Sequence, residues 1–218
     1  VEVRVANFND DSNGIVTKKV IAAFDRFRDV HARPLGRALE INVDEDLTTE
    51  LSRAAKLARR WLRERQADIL IWGHVPPAGA AVHIHFITLA TWDERVPGSF
   101  DLTTDLPLPA HFSGTYADFL HAATLSATVP VNRDKAKMRL AALPDAAVRA
   151  GMTMDDIPLD MTSRERAALY LCHGNILTSA WSAKRTPEFM AQAMAAYRQV
   201  SAAVESEESP VDWAMAYR

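Results

Sequence analysis

The repeat period of the apolar residues changes once along this chain, and that change limits the fold more than any other feature. Up to about residue 106, stretches of period two alternate with stretches of period 3.6; beyond Pro107 and Pro109 only the helical period remains. Val1, Val3 and Val5 are apolar with Glu2 and Arg4 between them, which predicts a strand. Asn13-Gly14 interrupts the chain, and Val16, Val20, Phe24 and Phe27 then share one helical face. Pro34-Leu35-Gly36 reads as a turn, and Leu39, Ile41 and Val43 alternate as a second strand. Asp46 or Thr48 can cap the next helix. Its apolar stripe runs through Leu47, Leu51, Ala54, Ala58, Trp61 and Leu62, with Arg53, Lys56, Arg59, Arg60, Arg63 and Arg65 opposite.

Ile69-Leu70-Ile71-Trp72 is an unbroken apolar run, as a central strand buried on both faces requires. Pro76 to Gly79 turns the chain into a strand over Val82 to Leu89, and a further strand is expected around Ser99 to Leu106. The order β-α-β-α-β-β predicts an α/β fold over residues 1–110, a mixed β-sheet with packed helices. Residues 111–218 are expected to be all-α, with helices at Thr115–Thr128, Arg133–Arg149, Ser163–Ser182 and Pro187–Ser206. Pro187 suits a first turn after Thr186, whereas Pro144 is expected to end or kink its helix. The two halves meet between Leu106 and Gly114.

At 218 residues the chain suits one large domain or two small ones. Its 25 Lys and Arg against 28 Asp and Glu, with signs mixed throughout, give no support to a nucleic-acid partner. No apolar run approaches the ~20 residues of a membrane span. The single cysteine, Cys172, cannot form an internal disulfide. That favours the cytoplasm, although a cysteine-poor periplasmic protein has the same composition. The sequence opens on a strand pattern and stops within a helical one, so a fragment of a longer protein is expected.

An internal echo stands out in the last third. Ala167-Ala168-Leu169-Tyr170 returns as Ala214-Met215-Ala216-Tyr217, an offset of 47 residues. Between them lie Gly174, the stripe Ala193, Tyr197 and Val200, and Ser209-Pro210. From about Thr162 this resembles a tetratricopeptide helical hairpin, in which small residues let two helices approach and a large one fills the gap. Gly174 stands where the family has its small residue, Ala193 and Tyr197 at its alanine and aromatic positions, and Pro210 at its closing proline. The Asp212-Trp213-Ala214 opening is similar to a group of long bacterial repeats. The period departs from the usual ~34, and about three units are needed for a stable array. In the first half, the helix rich in Ala and Arg, followed by Ala67, Asp68, an apolar strand and Gly73, resembles the TolB amino-terminal-like and FlgO-like domains. The two resemblances imply a non-enzymatic α/β domain attached to helical repeats that bind a protein or peptide partner.

Candidate chemistry is sparse. His83 and His85, two apart on a strand, point to one face and can chelate a metal, with His74 across the hairpin as a third ligand. Asp68 and Asp93 are the candidate carboxylates. The bland alternative places Val82, Ile84 and Phe86 in the core and the histidines on the wetter face. The basic stretch Arg26, Arg28, His31, Arg33 and Arg37 is interleaved with Asp25 and Asp29, which favours ion pairs over anion capture. Cys172-His173 are about 100° apart on a helix, poor geometry for a thiol dyad. Asp10-Asp11 and Asp155-Asp156 read as turn and capping residues. Phosphate-binding glycine loops and serine elbows are absent from the sequence, so no catalytic residue, metal or cofactor is expected. The expected function is an interaction or assembly module. Two alternatives remain open. One is a sensor of small anions or nucleotides, binding near Asn9 to Gly14 or Val43 to Thr48. The other is a metal-dependent hydrolase using His83 and His85.

Overall fold

The computed structural model describes residues 1–41, 46–77, 81–89, 98–100, 102–128 and 133–203. Five strands form one mixed sheet in the order β2-β1-β3-β4-β5. β1 (Glu2–Asn7) lies parallel to β2 (His31–Ala38) on one side and to β3 (Ile69–His74) on the other. β4 (Ala81–Thr88) and β5 (Leu106–Pro109) extend it antiparallel. The two parallel crossovers leave in opposite directions across the sheet. Right-handed connections then require their helices to cover opposite faces. They do so: Val20 of α1 (Ile15–Ala22) joins Val3, Val5, Ile69 and Ile71 in one core. Ala54, Ala58, Trp61 and Leu62 of α2 (Leu47–Glu64) join Leu70, Trp72 and Ile87 in another.

Four helices follow, α3 (Thr115–Thr128), α4 (Arg133–Gly151), α5 (Ser163–Ala183) and α6 (Pro187–Ala203), with a 3-10 turn at Met152–Asp155 after α4. Every residue of α3 from Tyr116 to Thr128 except Asp118 is buried. A helix buried all round needs apolar or self-satisfied side chains on each face. Accordingly the Thr124 and Thr128 hydroxyls donate to the Leu120 and Leu125 carbonyls. One continuous core contains Val5, Ile84, Phe119, Leu143, Cys172 and Ala193, and so runs from the sheet into the last two helices.

The structure corrects several local expectations, and proline accounts for most of them. Pro34, Leu35 and Gly36 do not turn; they lie within β2, with Pro34 opposite Val5. β2 is an edge strand, where the missing proline N–H forfeits no ladder bond. The register slips between Val5 and Asn7, where Gly36 adopts φ 73°. The second strand therefore precedes Leu39 and Ile41, and Val43 lies outside the described residues. At the opposite edge, Pro107 and Pro109 belong to β5 and do not end the sheet, so the strand expected at Ser99 to Leu106 sits later. α1 stops at Ala22, and Phe24 reaches the core through 3-10-like turns. α4 continues through Pro144, since a proline removes one helical hydrogen bond while Leu143, Ala146 and Ala147 anchor the helix on both sides of it. Among the described residues no helix is long and apolar enough to cross a membrane.

Candidate functional site

A cavity of about 450 Å³ opens where the sheet meets the start of α5. His74, His83, His85 and Asp105 line it from the sheet side; Thr162, Arg164, Glu165 and Ala168 line it from α5. Strand alternation supplies the histidines. Val82, Ile84 and Phe86 enter the core, which turns His83 and His85 to the other face. That face is drier than the alternation implies, since the two side chains are only 17% and 15% exposed.

His74 pairs with His83 across the β3–β4 hairpin, and their rings stack at 4.8 Å and 8°. Trp72 stacks on His85 at 4.7 Å from the core side, and the three histidine rings lie along one wall of the cavity. Gly73 keeps β3 and β4 close: a Cβ there would fall 2.0 Å from the His83 carbonyl oxygen.

Two carboxylates complete the site, and neither is one that the sequence nominated. Asp105 Oδ2 lies 2.7 Å from His83 Nδ1, and Glu165 Oε1 lies 3.8 Å from His83 Nε2. His85 Nδ1 lies 3.1 Å from the Thr104 carbonyl oxygen, and its Nε2 lies 3.9 Å from Asp105 Oδ1. Asp68 instead accepts from the Glu2 backbone N–H, and Asp93 lies outside the described residues. Glu165 carried a readable signal as the fourth residue of a capping box. Its carboxylate accepts from the Thr162 N–H while the Thr162 hydroxyl accepts from the Glu165 N–H. That pattern marks the start of α5 but not its proximity to His83. Asp105, 22 positions from His83, offers no such signal.

The electrostatics separate the three histidines. Burial pulls His83 down, but the hydrogen bond and charge of Asp105 and the charge of Glu165 outweigh it, leaving its pKa above the ordinary value. Burial lowers His85, and Asp105 does not fully offset that. His74 is lowered by burial and then by its two histidine neighbours. The stacked rings do not converge. Asp105 engages His83 on the ring edge opposite the one that faces Glu165, so donor atoms are divided between two places. Among the described residues no three His, Cys, Asp or Glu side chains are arranged to hold a metal ion.

The other nominated residues have structural partners. Arg26 is paired with Asp118, and His31 lies 3.3 Å from Glu2. Cys172 is buried in the core and its thiol donates to the Asp105 carbonyl, which ties α5 to the site. His173 points elsewhere, towards Gly151 and Phe119. The helix N-termini considered for anions are already occupied. Asp11 accepts from the Val16 and Thr17 N–H groups, and Asp46 accepts from Thr49. A carboxylate of the chain itself fills the position an anion would take at each.

Protein-family models, curated proteins and solved structures all fail to match this chain. The site therefore stands on its own geometry, and the likenesses to TolB-type domains and tetratricopeptide repeats gain no support from known proteins.

Proposed function

We propose that this chain is a non-enzymatic binding module, in which a small polar ligand enters the cavity and sets the position of α5 and α6. The observation that carries this reading is the shared construction of the cavity, half from the sheet and half from the first turns of α5. A ligand touching both halves alters the α5–sheet contact directly. The contact continues outward: Asn175 of α5 donates to the Ser99 carbonyl, and Tyr197 of α6 donates to the Asn175 side chain. Catalysis is the weaker reading, because no activated nucleophile stands among the described residues of the site. The Thr162 hydroxyl serves the helix cap, and the Cys172 thiol faces a carbonyl in the core.

A thermal-shift screen of small polar metabolites tests the proposal. A ligand at 100 times its Kd adds about 2.7 kcal/mol to stability, a rise of several degrees. The rise should disappear in Glu165→Gln, and hydrogen exchange in α5 should slow when ligand is present. Hits that act equally on wild type and variant, or leave α5 exchange unchanged, would sink it.

One observation favours a second reading, a protein-docking hairpin of tetratricopeptide type. Gly174 meets the ring of Tyr197 so closely that a Cβ would lie 2.4 Å from it, and Ala193 is fully buried nearby. This is the small-residue contact that such a repeat uses. The echo at 214–217 and Pro210 lie outside the described residues. Sequencing the gene beyond Arg218 decides: further units near the 47-residue period are expected, and their absence excludes this reading.

A further inference from the structure

Two acceptors face one another in the cavity, and among the described residues one of them, Asp105 Oδ1, has no donor. The Thr104 carbonyl can only accept, so His85 carries its ring proton on Nδ1 and presents Nε2 as a bare lone pair. Asp105 Oδ1 lies 3.9 Å away, buried and without a hydrogen-bond partner among the described residues. His83 engages only the other carboxylate oxygen. A buried carboxylate oxygen left in this state is uncommon and calls for a donor. A nitrogen bearing two or more hydrogens reaches both atoms at about 2.8–3.0 Å. A zinc-sized cation fits worse. With bonds of about 2.0–2.2 Å the two atoms would subtend about 125–154° at the metal, wider than a tetrahedral angle.

We propose that the cavity receives the amino end of a small molecule, a primary amine in its ammonium form, whose N–H groups bridge His85 Nε2 and Asp105 Oδ1. The inference rests on the cavity being a ligand site. Asp105 and Glu165 supply the opposing charge in a cavity that Arg164 also lines. The stacked rings of His85, His74 and His83 line the wall beside the remainder of the molecule. The volume of about 450 Å³ leaves room for such a body beyond its amino group.

Butylamine and 1,4-diaminobutane are the probes, with butyltrimethylammonium as a control of the same charge and no N–H donor. Thermal shift and the imidazole nitrogen signals of His85 are measured at neutral pH. The amines should raise the melting temperature and move the His85 Nε2 signal, and the trimethylated control should do neither. Asp105→Asn should weaken amine binding by about tenfold or more. Should that variant not fold, the His85 signal in the wild-type protein decides alone. An equal response to the trimethylated compound overturns the inference. So does no response to any amine, which would leave a water molecule between the two acceptors. Screen hits that need Glu165 while amines fail would remove this inference and keep the cavity as a ligand site. Hits indifferent to both carboxylates would remove that reading as well.

Discussion

His173 sits in α5 with its Nε2 buried and, among the described residues, without a hydrogen-bond partner; burial pushes its pKa down to about 4. In the unfolded chain it titrates near 6.5, so between those two values the unfolded state binds the extra proton. The associated stability is fully present above pH 6.5 and is lost as pH falls towards 4, a change of about 3 kcal/mol. His74, His85 and His121 are shifted the same way and add to the slope. In His173→Leu the urea midpoint should fall much less between pH 7 and pH 4.5 than in wild type. Parallel losses in the two proteins would show that His173 is already solvated. Gly174, the next residue, tests close approach. Gly→Ala within a helix ordinarily adds ~0.5–1 kcal/mol. Here the new Cβ would meet a Tyr197 ring whose hydroxyl is held by Asn175 and Thr178. Overpacking should outweigh the helical gain, leaving Gly174→Ala less stable by about 1–3 kcal/mol. A melting temperature at or above wild type would mean that the ring yields.

At the scale of elements, the first turn of α5 has two tasks, capping a helix and closing a cavity. Thr162→Ala removes the hydroxyl half of the capping box and should cost about 1 kcal/mol. Asp46→Ala removes the equivalent cap of α2, whose residues do not line the cavity. Both variants should lose similar melting temperature, while only Thr162→Ala weakens a cavity ligand; equal binding by the two would separate the cap from the site. Elements were largely legible because periodicity reports burial directly, as in Val3 and Val5 of β1 and the α2 stripe. Edge strands were not, because Pro34, Pro107 and Pro109 carry the signature of a turn, and sequence does not say which strand lies at an edge. The site was half legible. His83 and His85 follow from strand alternation, and His74 from the hairpin. Asp105 and Glu165 reach them only through tertiary contact, for which no local pattern exists.

For the whole molecule, the continuous core decides how α5 and α6 respond to the sheet. Leu169, Cys172, Ile176 and Ala193 belong to the same buried cluster as Val5, Ile71 and Ile84. Polar ties reinforce that continuity. Cys172 holds Asp105, Asn175 holds Ser99, and a Cβ at Gly98 would collide with Thr178. A hairpin joined to the sheet by a shared core gains little from unfolding alone, because its departure would expose sheet and helix together. Urea unfolding should therefore be one transition, with far-UV circular dichroism, tryptophan fluorescence and hydrogen exchange of β3 and α5 sharing a midpoint. Asn175→Ala, which cuts the tie to Ser99 and the Tyr197 hydrogen bond, should lower that midpoint while the probes stay coincident. Earlier loss of protection in α5 and α6 than in β3, already in wild type, would make the hairpin a separate folding unit. In that case the cavity would lie across a loose junction, and occupancy could not be relayed through a rigid contact from Glu165 to Tyr197.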